Sequence, residues 1–259
     1  MKKAILMLWR IWFYILCALP VLVFFPLLAL ALLFPKGYGF LFWIARNIWA
    51  PFVLMGCGFW IQRLNALSKN DKTHIIIANH SSYMDIFVML RLFKKPFVFV
   101  GKKELVKIPV FGYLYKRAAI MVDRSDKKSR FAVYGFAERV LKNNYSICLF
   151  PERDYEDEAV LLNPFNKGAF KMAITHQLPI IPLVFYDCKR KFPWYTTYGY
   201  PGSLRVKALK KIKVSGKKED DLEKLLEASH KKIKKALLED PKRAALSAID
   251  LWKKINAKP

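Results

Sequence analysis

Two side chains of complementary acid–base character stand in the segment ANHSSYMDIF: His80 and Asp85, with four residues between them. A histidine titrates near neutrality and can take or give a proton at physiological pH. A carboxylate that accepts from one ring nitrogen fixes the tautomer and stabilises the imidazolium, which leaves the other nitrogen as a general base. Such a pair needs no protein nucleophile, because a substrate hydroxyl can attack while its proton passes to His80. The same residues have an architectural reading. Ser82 is a good helix N-cap, and Asp85 three residues later would complete a capping box and meet the positive end of the helix dipole. On that reading His80 is an ordinary loop residue, and the H-x-x-x-x-D spacing alone does not separate the two.

Either reading requires a strand ending just before His80 and a helix starting just after it. HIIIAN (74–79) supplies the strand. Four more apolar, β-branched or aromatic runs follow: FVFV (97–100), AAIMV (118–122), SICLF (146–150) and IIPLVF (180–185). Runs of this texture read as strands buried on both faces. Between them, 126–143 repeats Val133, Phe136, Ala137, Val140 and Leu141 at helical spacing, and 221–239 does the same with Leu222, Leu225, Leu226, Ile233 and Leu237. Strands alternating with helices imply an α/β domain, a central sheet flanked by helices. Its carboxyl edge, where His80 falls, is where sites form in such sheets. The remaining histidines, His74, His176 and His230, have no partner at metal-ligand spacing, and no metal is expected.

The chain has 259 residues, 54% hydrophobic and 25% charged, with a formal net charge of +25. That charge calls for an anionic partner surface. No zinc-finger, basic-zipper or aromatic RNA-binding signature occurs, so lipid is expected rather than nucleic acid. Cys17, Cys57, Cys148 and Cys188 are scattered without C-x-x-C spacing and read as buried free thiols. No charged residue lies between Ile11 and Phe34. This stretch is long enough for a membrane-crossing helix, kinked at Pro20 or Pro26, and too long for a signal-peptide core. FPKGYG (34–39) reads as a turn, and a second apolar stretch runs from Phe40 to Ile61, interrupted by Arg46 and Asn47. Either both stretches span, or the second lies in the interface with Arg46 at the head groups. Lys2, Lys3 and Arg10 before the pair, with Arg63 and Lys69 after it, place both ends on the cytoplasmic side. The expected organisation is a membrane-inserting hairpin at 1–66, an α/β domain at 67–215, and basic helices at 216–259 that pack on the domain or on the membrane surface.

NHSSYMD resembles the first block of the glycerolipid acyltransferases, the family of lysophosphatidic acid acyltransferase. Later segments resemble the rest of that family's pattern in order: GKKELVKIPVFG (101–112), AAIMVDR (118–124), FPE (150–152) and LPIIPL (178–183). The resemblance covers roughly 75–185 and implies transfer of a fatty acyl group from acyl-CoA or acyl carrier protein to the free hydroxyl of lysophosphatidic acid, with no cofactor. It also implies a bacterial-type inner membrane with the catalytic domain on the cytoplasmic face. By the resemblance His80 and Asp85 are the catalytic pair, and Arg124 binds the acceptor phosphate, for which a guanidinium is suited. Glu152 helps hold the acceptor, and Pro179 and Pro182 shape the acyl-donor side; the plain alternative for these two is strand-edge proline. Lys102 is a second cationic contact or a solvated lysine.

The third block departs from its family. It usually reads Phe-Pro-Glu-Gly-Thr-Arg-Ser, and here Arg153 replaces the glycine and Tyr155 the arginine. Arg153 could supply a phosphate contact in place of a lost one. The acids that follow, Asp154, Glu156, Asp157 and Glu158, are expected to be solvated or paired with Lys167 and Lys171. In the second block Ala118 stands for glycine and Met121 for an aromatic residue. These changes leave His80 and Asp85 intact, so another lysolipid acceptor is the main alternative. A lipid-binding scaffold without catalysis and a metal hydrolase built on the 152–158 carboxylates are the others.

Overall fold

The computed structural model describes residues 2–34, 36–67, 73–122, 127–152 and 157–257. Helix α1 (Lys2–Ala31) leads into a second rod made of α2 (Gly37–Ile44), a π-helical turn (Ala45–Trp49) and α3 (Ala50–Gly56). Strand β1 (Phe59–Arg63) follows, then β2 (Ile75–Ala78), α4 (Met84–Leu92) and β3 (Phe97–Lys102). Next come α5 (Phe111–Ala118), β4 (Ile120–Val122), α6 (Lys127–Lys142) and β5 (Ser146–Leu149). The chain closes with α7 (Gly168–Thr175), β6 (Ile180–Phe185), α8 (Cys188–Lys191), β7 (Gly202–Ala208), α9 (Leu222–Leu238) and α10 (Ala244–Asn256).

The strands form one mixed sheet in the order β1-β7-β6-β2-β5-β3-β4. All neighbours are parallel except β6 and β7. Strand β2 is central, and all four of its residues are buried. Because side chains alternate across a strand, Ile76 and Ala78 enter one core with Phe13, Phe42, Val53 and α4. Ile75 and Ile77 enter the other with α6, α7 and α9. This two-sided burial is why the strands lack polar alternation.

The five expected strands form, and two more complete the sheet. Phe59–Arg63, expected to close the membrane hairpin, is instead an edge strand paired in parallel with β7. A boundary at residue 66 therefore cuts through the sheet. The second apolar stretch changes character at Cys57 and Gly58, where Gly58 takes φ +78°, a conformation suited to glycine. The hairpin is also not separate from the domain. Trp9 and Phe13 pack on Phe192, Arg10 donates to the carbonyls of Thr196 and Tyr198, and Leu28 packs with Leu114 of α5. Arg46, expected at lipid head groups, donates from Nε to Phe93 O at 2.8 Å and from Nη1 to Asn47. Helix α9 lies on the sheet and α10 packs on α8.

Pro182 sits within β6, between β2 and β7, and not at a sheet edge. Its carbonyl accepts from Leu209 N, so its missing N–H faces the β7 side. There the ladder skips from Leu183↔Ala208 to Ile180↔Ile212, and the opposing chain carries one residue more. A bulge of this kind accommodates proline.

Candidate active site

Strand β2 ends at Ala78, and the chain turns sharply into α4. Within that turn Asp85 Oδ2 accepts three hydrogen bonds: from His80 Nδ1 at 2.8 Å, Ser81 N at 2.8 Å and Ser82 N at 2.9 Å. The capping geometry and the histidine pairing are therefore one arrangement. Asp85 closes the start of α4 and orients the imidazole at once. Ser82 is fully buried; its Oγ accepts from Met84 N and donates to Phe192 O. Asn79 fixes the other side by exchanging hydrogen bonds with the backbone of Phe185 on β6. With Nδ1 donating to the carboxylate, Nε2 carries the ring's lone pair. The His80 side chain is 15% exposed and that of Asp85 1%.

The imidazole is held between aromatic rings. Phe150 stacks on it with centroids 3.8 Å apart, and Trp194 meets it edge-on at 4.7 Å. Behind it lies Glu152, buried, whose Oε1 accepts from His80 N at 2.7 Å and whose Oε2 accepts from Asn163 N at 2.9 Å. Burial pushes this carboxyl up to about 7, against the pull of those hydrogen bonds and of Lys189. Glu152 thus braces the backbone of His80. Glu158 is raised by burial and accepts from Trp194 Nε1 at 3.1 Å. Asp157 accepts from Ala159 N. The expected partners of these acids bind elsewhere: Lys167 pairs with Glu223, and Lys171 with Glu219 at 3.0 Å. The carboxylates of 152 and 158 face different ways, one to the His80 backbone and one to an indole, so they do not converge on a metal position.

A cavity of about 580 Å³ opens beside His80. It is lined by Phe150, Trp194 and by Phe99, Gly101 and Lys102 of β3, together with Leu28, Leu41 and Ile44 of the helical hairpin. Its lining is mostly apolar. The structure thus brings His80, Asp85, Lys102 and Glu152 to one edge of the sheet. Lys102 pairs in register with Val122 at the end of β4. Pro179 and Pro182 do not line the cavity. Arg124 and Arg153 lie outside the described residues, as do Asp154, Glu156 and Lys69. Sequence reasoning missed Asn163, Lys189 and Trp194. One signal was available for the last two: CKRKFPW follows β6 at the same edge where His80 follows β2.

A helix-flanked mixed sheet that carries this pair beside an apolar cavity places the chain among acyltransferase-type α/β folds. Residues 61–186 match the Acyltransferase family. The 1-acyl-sn-glycerol-3-phosphate acyltransferase of Haemophilus influenzae is 31% identical over 183 residues, 69% of this chain and 74% of that one. The human 1-acyl-sn-glycerol-3-phosphate acyltransferase beta is 29% identical over 172 residues, 63% of this chain and 59% of that protein. The chain spans less than two thirds of the length of its eukaryotic relatives. The crystal structure of the 1-acyl-sn-glycerophosphate (LPA) acyltransferase PlsC from Thermotoga maritima superposes with a TM-score of 0.74 at 20% identity, covering 92% of this chain and 98% of that one. That likeness concerns the fold. The chain belongs to the 1-acyl-sn-glycerol-3-phosphate acyltransferase family.

Proposed function

We propose that the protein transfers a fatty acyl group from an acyl thioester, of coenzyme A or acyl carrier protein, to the free hydroxyl of lysophosphatidic acid, giving phosphatidic acid. One observation carries this reading: an imidazole oriented by a buried carboxylate lines a large apolar cavity. His80 Nε2 takes the proton of the acceptor hydroxyl as its oxygen attacks the thioester carbonyl. Asp85 stabilises the imidazolium that forms. The tetrahedral intermediate collapses, the carbon–sulfur bond breaks, and the imidazolium returns the proton to the departing thiolate. The cavity falls in the roughly 300–1,000 Å³ range of sites that bury a ligand, and its apolar lining suits an acyl chain. Lys102, at its rim, suits a phosphate, and Arg124 and Arg153 are proposed as further phosphate contacts. Glu152 acts by bracing His80, which differs from the acceptor contact implied by the resemblance. Pro179 and Pro182 shape β6, and any effect on the donor side passes through that strand.

The two apolar helices, 3–31 and 37–56, are long and apolar enough to cross a bilayer and mediate membrane association. One face of α1 packs on the domain, while Leu8, Ile15, Leu22 and Leu30 are exposed on the other. This favours a hairpin lying in one leaflet with the domain beside it. The cytoplasmic face of a bacterial-type inner membrane is the proposed side.

The test is turnover by the purified full chain with acyl-CoA and a panel of lysolipids. Lysophosphatidic acid should be the preferred acceptor, with thiol released in step. Negligible turnover of it beside brisk turnover of another lysolipid would transfer the assignment to that acceptor. The alternative acceptor is motivated by the third block, where Arg153 and Tyr155 replace residues usual in the family.

A further inference from the structure

Lys189 is a buried lysine where the chemistry at His80 requires none. It is 5% exposed. Its Nζ donates to Val160 O at 2.8 Å, inside the 157–163 loop. Glu152, Asp157 and Glu158 lie within electrostatic reach of it. Helix α10, on its other side, contributes the apolar Ala248, Leu251 and Trp252. Five residues on, Trp194 does two things at once. Its ring meets His80 edge-on, and its Nε1 donates to Glu158. Between them, Phe192 O accepts from Ser82, and Cys188 lies beside Asp85, whose carboxylate adds to burial in pushing that thiol up. One short segment, 187–194, thereby touches both members of the pair and the acidic loop.

The geometry points to Lys189 and Trp194 as positioning residues that clamp the 157–163 loop against the His80–Asp85 pair and fix the imidazole in the cavity wall. This rests on the acyl-transfer assignment above. Lys189 works by charge. Glu152 is buried and Glu158 partly so, and the Lys189 ammonium offsets both, with the exposed Asp157 beyond them. Burial lowers Lys189 and raises Glu152 and Glu158, and the charge on each side opposes the shift of the other. Glu152 in turn holds His80 N and Asn163 N, and Lys189 is the charged side chain facing it among the described residues. Loss of Lys189 therefore loosens the backbone of the base. Trp194 works by shape: Phe150 covers one face of the imidazole, and the indole stops the ring from swinging off Asp85.

The experiment uses the full chain in detergent or vesicles, with thiol release from acyl-CoA in the presence of its best lysolipid acceptor, between pH 5 and 9. Lys189→Met should lower kcat about tenfold with KM nearly constant, and move the acid limb of the pH profile up by about one unit. Lys189→Arg should restore most of the rate. Trp194→Phe and Glu158→Gln should each cost several-fold, and the double variant should be no worse than either single one. An unshifted pH profile in Lys189→Met, or additive losses in the Trp194–Glu158 cycle, would overturn the clamp. Should Lys189→Met fail to fold, the cycle decides alone. Wild-type protein that turns over no lysolipid refutes the acyl-transfer assignment; active wild type with unaffected variants refutes only the clamp.

Discussion

Two buried ionic clusters flank β6, and they are built differently. At the sheet's carboxyl edge, His80 and Asp85 form a pair whose imidazole lines a cavity. On the other side, four hydrogen bonds to carboxylates hold the guanidinium of Arg205 of β7. Its Nε and Nη2 bind Asp187 at 2.8 and 2.7 Å, and its Nη1 and Nη2 bind Asp240 at 2.6 and 3.0 Å. Asp187 also takes Arg205 N, and Asp240 takes the N–H groups of Lys242 and Ala244 at the start of α10. Burial pulls the Arg205 guanidinium down, and its hydrogen bonds to the two aspartates more than offset this. The side chains of Arg205, Asp187 and Asp240 are all 6% exposed or less, so the cluster is closed to a substrate. It ties β7, α8 and α10 together. Burial and charge alone therefore do not mark a site; a titratable edge left facing open space does.

The sharpest way to break this contrast is to remove each centre in turn. His80→Ala should lower turnover by about 10³-fold or more while changing stability by only about 1 kcal/mol, read by thiol release beside the apparent melting temperature. If turnover survives, the open cluster is not the catalytic one. Arg205→Met leaves two buried aspartates uncompensated and should destabilise the chain by about 3–5 kcal/mol, seen as a large drop in melting temperature. An unchanged melting temperature would make the closed cluster ornamental.

A third test concerns pH. Burial lifts Glu152 from 4.5 to about 7. Between those values the folded chain holds a proton that the unfolded chain lacks, so stability falls as pH rises through the window, by on the order of 3 kcal/mol. Glu152→Gln should flatten the dependence of melting temperature on pH between 5 and 7; an unaltered slope assigns it to another group. The smallest effect is expected at Lys102, exposed at the cavity rim. Lys102→Ala should raise KM for a phosphate-bearing acceptor about tenfold with little change in kcat. Equal losses for a phosphate-free acceptor would remove its phosphate role.

What was legible in the sequence followed from local chemistry. The runs around Ile76, Cys148 and Ile181 are apolar throughout because both faces of those strands are buried, and the His80–Asp85 spacing survives because one turn holds both residues. Strands β1 and β7 were missed for opposite reasons. Phe59–Arg63 continues a hydrophobic stretch without a break in composition. Gly202–Ala208 carries Arg205 and Lys207, which read as surface until the partners of Arg205 are seen at 187 and 240. Glu158 and Trp194 are 36 residues apart, and Glu152 reaches the backbone of His80 across 72. Contacts of that span have no local signature. The hairpin reads as membrane-inserting because hydropathy does not distinguish a lipid neighbour from a protein one.

Arg10 donates to a carbonyl 186 residues further along the chain. During synthesis α1 is therefore complete long before the surface it docks on exists. Its apolar faces must spend that interval against something other than the surface they finally pack on. Docking of α1 on Phe192, Thr196 and Tyr198 is therefore a late step in building the catalytic edge.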